Sequence, residues 1–156
     1  MQIVTEEIGH FLHSQNFIVV STIDKNGRPH SSCKGLVNID EQGKIYLLDL
    51  YKSNTYENLS ANSNMSITAI DEHKFKGYCL KGRGEIAAIQ RLDPKIIKAW
   101  ENKITTRITQ RVIKNIAGEK GNLRHPEALL PKPQFLIVME VDEIVDLTPH
   151  HIKLGE

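Results

Sequence analysis

Cysteine is scarce in this chain of 156 residues, which has only Cys33 and Cys79. They show no CxxC or finger-type spacing, so neither a zinc finger nor a disulfide scaffold is expected, and two thiols at this size fit a reducing compartment. Net charge is equally small. Twenty basic residues stand against 19 acidic ones, for a balance of +1, which gives no general pull toward nucleic acid or a membrane surface. Any charged partner must be recognised locally. Long apolar runs are missing as well: "MQIVTEEIGHFLHSQ" has no basic segment followed by an apolar core, and no later stretch approaches a membrane span. A cytoplasmic protein is expected. No internal repeat or low-complexity segment interrupts the chain, whose length suits one domain over residues 1–156.

What is present is β-rich. Thr5, Glu6 and Glu7 suit a helix start, and Ile8, Phe11 and Leu12 supply one apolar face, predicting a short helix that ends near Asn16. "FIVVSTI" then reads as a strand. The pair Asn26-Gly27 predicts a type I′ hairpin turn, because both residues tolerate positive φ. A second strand is expected from about His30 to Ile39, a turn at "DEQG", and a third strand at "KIYLLDL". A helix from about Asn54 to Ala61 follows, with Tyr56 and Leu59 available to pack inward. Strands at "NMSITAI" and "GYCLKGRGEIAAI" come next, the latter carrying Gly82 and Gly84 as marks of a bulge or a close backbone approach. Asp93-Pro94 opens a long helix toward Ala117, "EKGNLRHPEALLPKP" is a proline-broken loop, and "QFLIVMEVDEIVDLTP" supplies one or two last strands. Five or six strands in short hairpins with helices at the ends predict a mainly β protein, a small closed antiparallel barrel of Greek-key type with peripheral helices.

Catalytic signatures are lacking: the residues assemble no triad, no zinc ligand set and no dinucleotide-binding glycine loop. "KGRGE" has neither the third glycine nor the strand-then-helix setting. His10 and His13 lie three apart on a helix, a spacing better explained by surface or packing roles than by metal binding. The remaining constellation is "DLYKSNTYENL", where a strand runs into a helix start. Lys52, Ser53, Asn54 and Thr55 there offer a cation, three polar side chains and free backbone N–H groups. An N-cap by Asn54 or Thr55 is one reading; a phosphate cradle is the other.

The order of elements in "STIDKNGRPHSS", "GKIYLLDLYKSNTYENL", "NSNMSITAI" and "LKGRGEI" resembles the FMN-binding split-barrel family that includes the pyridoxamine 5′-phosphate oxidases. The resemblance covers about residues 5–90, with a further strand at about 134–147. It implies a split β-barrel and a homodimer with FMN in a groove at the interface. Ser31, Ser32, Cys33 and Lys34 would then line the ribityl chain and ring, Leu48 and Asp49 would face the same groove, and Lys52, Ser53, Asn54 and Thr55 would hold the phosphate. A flavin-dependent oxidoreductase acting on a small molecule is the implied activity; the alternatives are a non-catalytic flavin or electron carrier, or a deazaflavin- or haem-binding relative. The paired Arg and Lys of the true oxidases are not reproduced here, and neither is their arginine-containing C-terminal segment, so vitamin B6 oxidation is not implied. The helix of residues 93–117 is the least family-like piece, an insertion whose Lys103, Arg107, Arg111 and Lys114 form a basic stripe. Without interleaved aromatics, that stripe reads as a solvated face rather than a nucleic-acid surface, with a wall for an anionic substrate or a contact with the partner chain as the alternatives.

Overall fold

The computed structural model describes residues 4–49, 52–116 and 133–153. In chain order these form α1 (Glu6–Ser14), β1 (Ile18–Ile23), β2 (Pro29–Lys34), β3 (Leu36–Ile39), β4 (Ile45–Asp49), α2 (Asn54–Ala61), β5 (Asn64–Asp71), β6 (Lys76–Ala87), α3 (Pro94–Ile116), β7 (Phe135–Asp146) and α4 (His150–Lys153). The loop expected at residues 119–133 lies outside the described residues, apart from its end.

Seven strands make one antiparallel sheet in the order β2-β1-β5-β6-β7-β4-β3. The fold is mainly β and split-barrel-like, as the sequence predicts, but its ladder does not close. The expected second strand is the reason. It breaks at Gly35 into β2 and β3, which pair with β1 and β4 and occupy opposite edges of the sheet. The chain therefore crosses from one edge to the other, and curling of the sheet brings those edges together along a split. Apolar alternation along the strands sets the inner face. Ile18, Val20, Ile45, Leu47, Ile67, Leu80, Ile137 and Met139 fill it, with Leu12 of α1 and Leu59 of α2 closing the ends.

Both predicted turns have the same construction, which differs from type I′. Asp24 accepts N–H bonds from Asn26 and Arg28 (2.8 and 2.9 Å), and Asp40 accepts from Gln42 and Lys44 (both 2.9 Å). Each carries positive φ only at its glycine, Gly27 (75°) and Gly43 (80°). The aspartate thus organises the backbone and leaves one left-handed position, where glycine has no Cβ penalty, so Asn26 is not called on to adopt one.

Gly82 lies beside the register shift in the β6–β7 pair, and a Cβ there would meet the carbonyl oxygen of Glu140 at 1.9 Å. The bulge and the close approach read from the sequence are both present. A second apolar layer covers the opposite face of β4 and β7. Leu48, Leu136, Val138, Ala87 and Leu92 are buried there against Ile96, Ile97 and Trp100. Trp100 is accordingly a packing anchor of α3. Asp93 opens that helix by accepting from Lys95 N–H at 2.8 Å. Among the described residues, no helix is long and apolar enough to cross a membrane.

Candidate functional site

The site grows out of the split. β4 extends past the end of β3, since Leu36 pairs with Leu47 and leaves Leu48 and Asp49 beyond the ladder on that side. β2 is the sheet's other edge. One side-chain pair spans the gap and another ties β2 to α2, the helix that follows β4. Ser32 Oγ and Thr55 Oγ1 are 3.1 Å apart, and the Lys34 ammonium donates to the Asp49 carboxylate. These pairs do the work that a backbone ladder does elsewhere in the sheet. The Lys34–Asp49 pair is nearly dry, with side-chain exposures of 7% and 8%. Two charges in such a place are stable because they face each other, and removing either takes away the opposite charge the other is buried against.

α2 enters directly from this junction. It buries Thr55, Asn58 and Leu59, positions i, i+3 and i+4 on one helical face. Asn58 Nδ2 donates to Thr22 Oγ1 at 2.9 Å, fastening the helix to β1, and the rings of Tyr56 and Phe135 meet edge-on with centroids 4.9 Å apart. Ser53, not Asn54 or Thr55, is the N-cap residue, and its side chain makes no capping bond. The first intrahelical bond runs from Glu57 N–H to Ser53 C=O at 3.1 Å. The N–H groups of Asn54, Thr55 and Tyr56 therefore precede the helical ladder and point outward from its positive end. Lys52 and Asn54 are exposed beside them, and the Lys52 ammonium lies 5.1 Å from the centroid of the Tyr56 ring.

The ten residues named from the sequence fall into two groups. Ser32, Lys34, Asp49 and Thr55 come together as a polar floor, half-buried at Ser32 and buried at the other three side chains, with Lys52, Ser53 and Asn54 exposed at its rim. Ser31, Cys33 and Leu48 face elsewhere. Strand alternation puts Ser31 and Cys33 on the outer face, where both are exposed and Ser31 bonds Ser21 at 2.9 Å; Leu48 is buried in the second apolar layer beneath α3. Sequence reasoning missed Asn58 and the Ser32–Thr55 pairing. The first carried a signal, a polar residue one turn after Thr55 on the face that also holds Leu59. The second joins residues 23 apart and has no local signature.

A groove of about 430 Å³ lies on the outer face, lined by Ser21, Ser66, Lys81 and Glu143 among others, and shares no residue with the floor. Both cysteines are free. His10 lies 3.4 Å from Glu6, and no group of His, Cys, Asp or Glu among the described residues is arranged to hold a metal ion.

A phosphate ester fits the junction on the strength of these observations: uncapped N–H groups, a helix positive end, the Ser53 hydroxyl and an adjacent cation. FMN carries such a group. Comparison with known proteins bears on this fit. In fold, the chain is similar to HupZ of Group A Streptococcus (18% identity, 94% of this chain and 95% of that one, TM-score 0.62). It is also similar to a pyridoxamine 5′-phosphate oxidase-related, FMN-binding protein of Nostoc punctiforme (15%, 94% and 86%, TM-score 0.61). An F420 reductase aligns at 18% identity over 91% of this chain and 98% of that one, with a TM-score of 0.55. No curated protein matches by sequence. The pyridoxamine 5′-phosphate oxidase family model matches residues 4–130, and the chain belongs to that family.

Proposed function

We propose that the chain binds FMN, with the phosphate on the uncapped N-terminus of α2 and the ring and ribityl chain along the split. The observation that carries this reading is the junction itself: Ser53 leaves the helix uncapped, while Thr55 is turned inward to Ser32 and helps form the floor. Lys52, Ser53 and Asn54 then hold the phosphate, and Ser32, Lys34, Asp49 and Thr55 shape the floor. The similarity to the FMN-binding protein of Nostoc punctiforme supports the same choice. The F420 reductase keeps a deazaflavin as the second reading.

When bound, FMN supplies hydride-accepting chemistry, so no protein nucleophile is required. The chain's part is to fix the ligand's position and to offer N–H donors at its anionic end. On this reading the protein is a cytoplasmic flavin-dependent oxidoreductase acting on a small molecule, as a homodimer of single-domain chains. The outer face of β2, β1, β5 and β6 supports the dimer: Phe17 and Ile70 there are each 61% exposed. A second copy of the chain would bury such a face.

Purified protein should gain a flavin spectrum and a raised Tm on addition of FMN, and sedimentation should report a dimer. No spectrum and no stabilisation would sink the reading. Reduction of the bound flavin by NADH or NADPH followed by turnover of an acceptor identifies an oxidoreductase, whereas reduction without acceptor turnover identifies a carrier.

A further inference from the structure

Building on the FMN reading above, we infer that Asp49 sets the charge preference of the site by neutralising Lys34 beneath the phosphate position. Lys34 looks like the natural phosphate ligand, being a lysine on the strand that faces α2. The structure gives it another role. Its ammonium is turned to Asp49 in a pair that is almost wholly buried, and the pair adds no net charge to the floor. Among the described residues, countercharge for a phosphate then comes from the rim: exposed Lys52 and the partial positive charge, about half a unit, of the α2 N-terminus. That total suits a singly charged phosphate, either a diester or a monoester still holding one proton, better than a dianion.

The spacing makes Asp49 a strong lever. Lys34 lies two residues along β2 from Ser32, and Ser32 touches Thr55 in the first turn of α2. An uncompensated ammonium in the same poorly solvated floor changes the affinity for an anion by about tenfold. Asp49→Asn keeps the shape and a hydrogen-bond acceptor for Lys34 while removing the charge. It converts a neutral pair into a cationic one.

The test titrates wild type, D49N and a double variant, Lys34→Met with Asp49→Leu, with FMN, riboflavin and inorganic phosphate at low salt. D49N should bind FMN and inorganic phosphate about tenfold more tightly than wild type, with riboflavin within about twofold. Its preference for FMN over riboflavin should also grow from pH 5.5 to 7.5, as the phosphate passes its second pKa of about 6. The double variant removes both charges together and should keep the wild-type ratio of FMN to riboflavin. Equal weakening of FMN and riboflavin in D49N would reduce Asp49 to a structural residue and overturn the inference. Loss of FMN preference in the double variant would overturn it too, by making Lys34 the phosphate's own cation. If wild type binds neither flavin, the parent reading fails by itself, and inorganic phosphate decides this one: no gain in D49N overturns it.

Discussion

At the start of α1, Thr5 turns its hydroxyl onto the N–H of Ile8 at 3.4 Å, and Glu6 and Glu7 stand in the first turn. At the start of α2, Ser53 makes no such bond, and the hydroxyl of Thr55 is spent on Ser32 across the split. Both segments carry the hydroxyl chemistry from which caps are made. In α1 that chemistry serves the helix, whose positive end is satisfied by its own side chains. In α2 it serves the barrel, and the helix end is left for an external acceptor. A helix start is thus read as a cap or as a cradle according to where its hydroxyls are committed, which depends on what the sheet curls against it.

The largest effect should come from breaking the floor that α2 leans on. Lys34→Met takes the opposite charge away from the buried Asp49 carboxylate and should cost about 3–5 kcal/mol in urea unfolding. The matching charge deletion at α1, Glu6→Gln, should stay within about 0.5 kcal/mol, since that carboxylate is solvated. A loss below about 1 kcal/mol at Lys34 would show that the split is wetter than the geometry implies.

Next in size is a change that makes α2 resemble α1. Ser53→Asp supplies the missing cap, so it should stabilise the ligand-free protein by about 0.5–1 kcal/mol through the dipole and the free N–H groups. The same carboxylate competes with a phosphate. FMN should weaken by at least about tenfold while riboflavin changes little. Equal weakening of the two flavins would place the phosphate away from this helix. The reverse experiment is smaller: Thr5→Ala uncaps α1, should cost about 1 kcal/mol, and should leave flavin binding untouched.

How much of this was legible in the sequence follows from the range of each interaction. Local signals gave the elements. The Asp93 cap, the bulge at Gly82 and the α2 face with Leu59 all depend on neighbours a few residues away. The turn at Asn26-Gly27 was misread in type because Asp24, two residues earlier, captured the backbone first. The break at Gly35 was missed for a different reason. A run from His30 to Ile39 reads as one strand whether it stays on one edge or crosses to the other, and only the partners β1 and β4 decide. Of the site, the residue types at the junction were legible. Their division into floor and rim was not, because strand alternation sends Ser31 and Cys33 outward while Ser32 and Lys34 turn in. A register of that kind becomes visible only once the inner face has been fixed by the core.

The smallest expected effect returns to α1, at its other end. Partial burial, then the charges of Lys103 and His10, hold the His13 imidazole below its ordinary 6.5. Arg107 of α3 approaches the same place, donating from Nη2 to the carbonyl of Asn16 at 3.1 Å. The folded state therefore favours neutral His13, while the unfolded chain takes up a proton at about the ordinary value. Below 6.5 the unfolded chain binds more protons, so stability should be full above that pH and decline as pH falls toward the lowered folded value. His13→Gln should flatten this decline between pH 7 and 5 in urea melts, and an unchanged slope would show that α1 and α3 do not crowd the ring. FMN should leave the His13 contribution in place, because the pH response at α1 belongs to the chain's own charges. At α2 a pH response should appear only with the ligand, when a phosphate that titrates near ~6 sits on the uncapped helix end.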